Sequence, residues 1–193
     1  MNNTAKQTLQ SVGILICGHI DLSIENFNKY YVPKIQERLS TCDLFYIGGA
    51  KGADTYAQEY LSNTNNKVLI CDKGEQNNNQ YPKKYGHKNG FASYTDRDAY
   101  MTDNVKQIIV YLRKNYMSLG SGSFSNIVRL LTNKEIAEDF FKYTRNSIYN
   151  EETDTLNEWC DKVIDNFDKF SNETKEKLKK LTREIFIIDE KNN

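Results

Sequence analysis

The chain has 193 residues, enough for one well-cored domain or for a domain of about 130 residues with a helical extension. Lysine and arginine total 26, as do aspartate and glutamate, so the sequence offers no broad positive face. Neither nucleic acid nor an anionic membrane is an expected partner. No apolar run approaches the roughly 20 residues of a membrane span, and residues 1–10 lack the apolar core of a signal peptide. The four cysteines and two histidines stand at neither disulfide-framework nor metal-ligand spacing, so a cytoplasmic protein without metal or other cofactor is expected.

The first apolar run, Val12-Gly13-Ile14-Leu15-Ile16-Cys17, reads as a buried strand that stops at Gly18-His19-Ile20-Asp21. Helical spacing follows over residues 23–39, with Ser23 or Asp21 as cap and Phe27, Tyr30, Tyr31, Ile35 and Leu39 as the buried stripe. Pro33 inside that stretch predicts a kink or two short helices. A second strand, Leu44-Phe45-Tyr46-Ile47, runs into the glycine-rich loop Gly48-Gly49-Ala50-Lys51-Gly52-Ala53-Asp54. Beyond the loop, a helix extends to about residue 62, marked by Tyr56, Ala57, Tyr60 and Leu61.

Lys67-Val68-Leu69-Ile70-Cys71-Asp72 is the third strand, and the polar, punctuated residues 73–93 read as one long loop, either functional or a mobile insertion. Residues 94–105 read as a helix with Arg97 and Met101 one turn apart. The fourth strand is Ile108-Ile109-Val110-Tyr111-Leu112, and after it comes a second glycine loop, Gly120-Ser121-Gly122-Ser123. A helix beginning near Phe124 carries Ile127, Val128, Leu130 and Leu131.

Strands apolar on both faces, alternating with helices, predict an α/β fold: a Rossmann-like, doubly wound, mainly parallel sheet with helices on both faces. Residues 1–132 form the expected sheet domain and residues 133–193 a helical C-terminal extension or insertion rich in alternating charge. Within it, Ile185-Phe186-Ile187-Ile188-Asp189 either returns a last strand, over residues 184–189, to the sheet or ends the final helix. The apolar stripe Trp159, Val163, Ile164, Phe167 and Phe170 packs within the chain or in a dimer, and a homo-oligomer is expected.

A strand that turns through glycine into a helix exposes unpaired N–H groups at the positive end of the helix dipole. Phosphates and carboxylates bind such ends. Because ligands of parallel sheets lie at the carboxyl ends of the strands, Gly18-His19, residues 48–54, Asp72 and residues 120–123 share one candidate edge. Gly48, Gly49 and Gly52 either contact a ligand or permit the turn. Lys51 faces an anion or water. Asp54 caps the following helix, binds a ribose hydroxyl or acts as a base, with capping favoured. Ser121 and Ser123 serve a phosphate or the turn itself, and His19 is a hydrogen-bonded loop residue or an acid–base group. Tyr46, Tyr81, Tyr85 and Tyr94 are the candidates for stacking on a base.

Several of these elements resemble the SLOG superfamily of Rossmann-like nucleotide-binding proteins, which includes the cytokinin-activating "lonely guy" phosphoribohydrolases, the DNA-processing protein DprA and the YspA-like proteins. The resemblance spans residues 14–131. It rests on Ile16-Cys17-Gly18-His19, the Tyr46-to-Asp54 element closest to the YspA-like GGAxGAD signature, Tyr85-Gly86-His87-Lys88-Asn89-Gly90, Arg97-Asp98-Ala99-Tyr100-Met101 and Gly120-Ser121-Gly122-Ser123. It implies a pocket for a nucleotide or phosphorylated nucleoside. Its phosphoribohydrolase branch pairs an arginine, matched by Arg97, with a glutamate in a PGGxGTxxE pattern. Here Ser118 and Leu119 stand for Pro-Gly, Ser123 for threonine and Asn126 for the glutamate.

The ligand-contacting set expected from both lines of reasoning is therefore Gly18, His19, Gly48, Gly49, Ala50, Lys51, Gly52, Ala53, Asp54, Arg97, Gly120, Ser121, Gly122, Ser123 and Asn126. The first expectation is a sensor or binding protein for a nucleotide or nucleoside-derived small molecule. The second is a nucleotide or nucleoside N-glycosidase in which Arg97 positions phosphate while Asp54 or Asp98 replaces the missing glutamate. The third is a protein-interaction module with a vestigial pocket. An amide cannot serve as a carboxylate base, which ranks binding above hydrolysis.

Overall fold

Continuous apolar runs become the middle of a parallel sheet in the computed structural model, which describes residues 13–74, 84–149 and 154–188. The five central strands are β1 (Gly13–Ile16), β2 (Leu44–Gly48), β3 (Lys67–Cys71), β4 (Gly86–Lys88) and β5 (Gln107–Ile109), in the order β4-β3-β2-β1-β5 and all parallel. The fold is thus α/β and Rossmann-like, as the strand–helix alternation predicts. Successive side chains of a strand face opposite sides. Accordingly Ile14 and Ile16 of β1 enter one apolar core with Phe45, Ile47, Val68 and Ile70, while Leu15 and Cys17 enter the other with Tyr46 and Cys71.

The first core is covered by the helical run after β1 and by α3 (Ala53–Ser62). That run comprises α1 (Ile24–Asn26), a π turn (Phe27–Tyr31) and α2 (Val32–Gln36). Ser23 caps α1 by accepting the Asn26 N–H at 3.2 Å. Pro33 lies in the first turn of α2, where a missing N–H costs least, and the wider π turn, closed by Val32 N–H to the Phe27 carbonyl, precedes it. The expected irregularity is therefore a π turn between two short helices.

The second core is covered by α4 (Tyr94–Asp103), α5 (Gly122–Leu131), α6 (Lys134–Arg145), α7 (Leu156–Asp165) and α8 (Asn172–Ile185). Trp159, Val163, Ile164, Phe167 and Phe170 are all buried there, so the apolar stripe of the charged helices packs within the chain.

Three elements differ from the sequence reading. Gly86–Lys88, inside the expected long loop, is edge strand β4; it is short and polar because an edge needs little burial, and its partner is β3. The fourth apolar run is not one strand. It leaves the main sheet after Ile109 and resumes as β6 (Leu112–Arg113), which pairs in parallel with β7 (Phe186–Ile188) in a separate two-stranded sheet. Tyr31 holds the break: its hydroxyl accepts the Tyr111 N–H at 3.0 Å and lies 3.1 Å from the Tyr111 carbonyl. The late strand therefore exists, but it joins β6 rather than the central sheet. Residues 1–12, 75–83, 150–153 and 189–193, which include Val12, Asn77 to Asn79, Tyr81, Pro82 and Asp189, lie outside the described residues.

Candidate functional site

Strand order reverses at β1. The chain builds outward through β2, β3 and β4 and then returns to place β5 on the other side. A crevice at such a switch point, at the carboxyl ends of the strands, is where open α/β sheets bind ligands. A cavity of about 270 Å³ occupies it, bounded by Cys17, Gly18, His19 and Ile20 after β1, by Gly48, Ala50 and Asp54 after β2, by Arg97, Asp98 and Met101 of α4, and by Ser121, Gly122, Ser123 and Asn126 at the start of α5.

Of the residues expected from sequence, eleven positions meet at this wall: Gly18, His19, Gly48, Ala50, Asp54, Arg97, Asp98, Ser121, Gly122, Ser123 and Asn126. Gly49, Lys51, Gly52, Ala53 and Gly120 do not line it. Lys51 is exposed. Gly52 has φ +70°, and a β-carbon there would lie 2.3 Å from the His19 carbonyl, so this glycine serves backbone packing. Ala53 donates its N–H to the same carbonyl at 3.1 Å.

The two glycine loops are not equivalent. In the first, the helix begins at Gly52 with no side-chain cap. Asp54 lies two residues beyond the cap position, in the first turn of α3, and its carboxylate instead reaches back to accept the Ala50 N–H at 3.1 Å. The favoured capping reading is thus replaced by a brace across the loop. Gly48 makes room for it: a β-carbon there would lie 2.4 Å from Asp54 Oδ2. The first loop consequently turns a carboxyl group, not a set of free N–H groups, toward the cavity.

In the second loop Ser121 caps α5, its Oγ accepting the Phe124 N–H at 3.1 Å and donating to the Ser118 carbonyl at 2.7 Å. Ser123 Oγ donates to the Gly18 carbonyl at 3.1 Å, which ties the start of α5 to the end of β1. Gly122 and the first turn of α5 remain as cavity wall at the positive end of a ten-residue helix.

Electrostatics divide the wall in the same way. Burial pushes the Asp54 carboxyl up to about 7; the Ala50 N–H and the Arg97 charge hold it down, while Asp98 and Asp72 oppose them. Asp98 is also raised, first by burial and against the pull of Arg97 and Arg129. Arg97 gives both Nε and Nη2 to a single oxygen of Asp98, at 2.9 and 2.6 Å. Its guanidinium also lies 5.0 Å from the ring centre of Tyr94, which is largely exposed. The arginine of the described wall therefore already has a counter-charge.

His19 accepts the Arg113 N–H on Nε2 at 2.9 Å. A neutral imidazole so held has its remaining nitrogen as a donor, which favours the structural reading over acid–base work. Cys17 lines the cavity with a thiol that burial, then Asp54, pushes up to about 12, so it is unreactive. Cys17 and Met101, which fall inside the SLOG-like elements but outside the expected ligand-contacting set, and Ile20 are wall residues too; nothing in their apolar patterns separates them from ordinary core. Tyr46 and Tyr85 are buried, and Tyr85 donates to the Gln58 carbonyl, so neither is a stacking surface.

No group of histidine, cysteine, aspartate and glutamate among the described residues has metal-binding geometry, and no helix among them is long and apolar enough to cross a membrane. All four cysteines are unpaired. The chain matches no family model, no curated protein and no solved structure.

Proposed function

We propose that this chain is a cytoplasmic binding protein or sensor for a nucleotide or phosphorylated nucleoside, held in the cavity at the carboxyl ends of β1 and β2, beside α4 and the start of α5. The observation that carries the proposal is the convergence, at the topological switch point, of the α5 N-terminus with Arg97 and the Asp54 and Asp98 carboxyls. A helix N-terminus suits a phosphate, and carboxyl groups suit ribose hydroxyls. The SLOG-like motifs fall on these same residues. A cavity of about 270 Å³ lies just below the usual 300–1,000 Å³ of small-molecule sites and favours a single nucleotide over a dinucleotide. With Arg97 paired to Asp98, the described wall holds no surplus arginine or lysine to neutralise a polyphosphate.

One observation favours a second reading, the N-glycosidase. A carboxyl held near 7, as Asp54 is, suits a general acid that protonates a departing base, and Asp98 would stabilise the sugar cation. The two readings part in one experiment, in which a panel of nucleoside mono-, di- and triphosphates is incubated with the protein and followed by thermal shift and by chromatography. Stabilisation with intact nucleotide supports the sensor. Release of free base supports the glycosidase. Neither effect with any member refutes both and leaves an interaction module.

A further inference from the structure

Asn126 and Arg129 stand one turn apart on α5 and are both buried, at 3% and 6% exposure. Arg129 donates from Nη1 to Asn126 Oδ1 at 2.7 Å. Arginine has donors only, so this bond fixes which way the amide faces: its oxygen is turned to Arg129, and its NH2 group is turned away. The NH2 group lies 3.9 Å from Cys17 Sγ, a weak acceptor that engages one hydrogen at most. Asn126 lines the cavity and Arg129 does not.

Arg129 is held at a cost. Its Nε has no hydrogen-bond partner among the described residues. Burial lowers the affinity of the guanidinium for its proton, while Asp98 and Asp103 of α4 and Glu138 of α6 hold the charge in place. A buried guanidinium with an unmatched N–H is an expensive way to fill space. It does, however, supply a fixed cationic donor behind an amide in the wall of the cavity.

We infer that Arg129 is a positioning residue which locks the Asn126 amide with its NH2 group toward the cavity, making Asn126 the donor that selects a hydrogen-bond acceptor on the ligand. The acceptor class is a carbonyl, ring nitrogen or phosphate-ester oxygen; a ligand group that only donates is rejected there. This inference rests on the proposed nucleotide reading for its ligand but not for its geometry.

The test uses the full chain and adenosine 5′-monophosphate as probe, with thermal unfolding confirming that each variant folds. Asn126→Asp turns the donor into a carboxylate and is expected to weaken binding by about tenfold or more, the usual consequence of losing one buried hydrogen bond. Arg129→Met is expected to weaken it several-fold, Arg129→Lys to restore part of the loss, and Arg129→Met to have no further effect when added to Asn126→Ala. Equal losses from Arg129→Met in the wild-type and Asn126→Ala backgrounds would overturn the inference, as would unimpaired binding by Asn126→Asp. A second readout needs no ligand. The side-chain NH2 protons of Asn126 are expected to resonate away from their free-amide positions and to exchange slowly with solvent in the wild type, and to move toward free-amide shifts and exchange in Arg129→Met. Unchanged resonances would refute the lock, whereas a lock that persists without any binding of the probe would count against the nucleotide reading alone.

Discussion

Replacing Asp54 by Asn tests the electrostatics of the site without removing its geometry. The amide keeps an oxygen for the Ala50 N–H, now 3.1 Å from Oδ2, and changes almost no volume beside Gly48. In the folded chain the carboxyl titrates near 7, against 3.8 for the unperturbed group. Between about pH 4 and 7 the folded state therefore binds more protons than the unfolded one, so this group makes stability fall as pH rises through that window and stay level above it. A shift of about 3 units at about 1.4 kcal/mol each sets a ceiling of about 4 kcal/mol. Urea unfolding of wild type and Asp54→Asn at intervals from pH 4 to 8.5 measures it. The two are expected to coincide near pH 4, and the variant is expected to gain stability up to pH 7 and to hold that gain beyond. A variant less stable than wild type at pH 8 would refute the reasoning, because it would mean that Asp54 is an ionised partner which Arg97 fully compensates.

Tyr31→Phe removes a hydroxyl that lies 3.0 Å from the Cys17 carbonyl and accepts the Tyr111 N–H at 3.0 Å. Chemical denaturation is expected to show a loss of about 1–3 kcal/mol, since buried partners are left unmatched. Gly18→Ala places a β-carbon 2.1 Å from the Tyr31 hydroxyl, so it is expected to lower the melting temperature in wild type and to be better tolerated beside Tyr31→Phe. Trp159→Ala empties a buried site that also holds the loop after α6 through its N–H to the Ile148 carbonyl at 2.9 Å. A loss of about 3–5 kcal/mol in a single unfolding transition is expected, because α7 shares its core with Leu15 and Cys17 of the central sheet.

The central strands β1, β2 and β3 were legible because burial on both faces leaves an uninterrupted apolar run, which few other environments produce. Gly86–Lys88 carries no such signal; an edge strand of three polar or small residues is made by its neighbour, not by its own side chains. The break between β5 and β6 was also hidden, since Val110 and Tyr111 are as apolar as the strands they separate and the hydroxyl that holds the break belongs to Tyr31, 80 residues away. At the site, glycine loops and strand ends pointed to the edge of the sheet where the cavity lies. Their inequality did not show, because it depends on where the Asp54 carboxyl turns and on the His19 carbonyl having already taken the Ala53 N–H. The orientation of the Asn126 amide is likewise a property of its contact with Arg129.

Gly122 gives the most direct access to the central claim. A β-carbon there meets nothing within 4 Å, and an acidic residue in the first turn of α5 favours the helix dipole, so Gly122→Asp is expected to fold with undiminished stability while placing a carboxylate where the phosphate would lie. Titration calorimetry of both proteins with adenosine 5′-monophosphate, ribose 5-phosphate and adenosine decides the matter. The account predicts that the wild type binds the phosphorylated compounds more tightly than adenosine and that Gly122→Asp loses this preference. Binding of neither phosphate compound by the wild type, or equal binding by the variant, would contradict it.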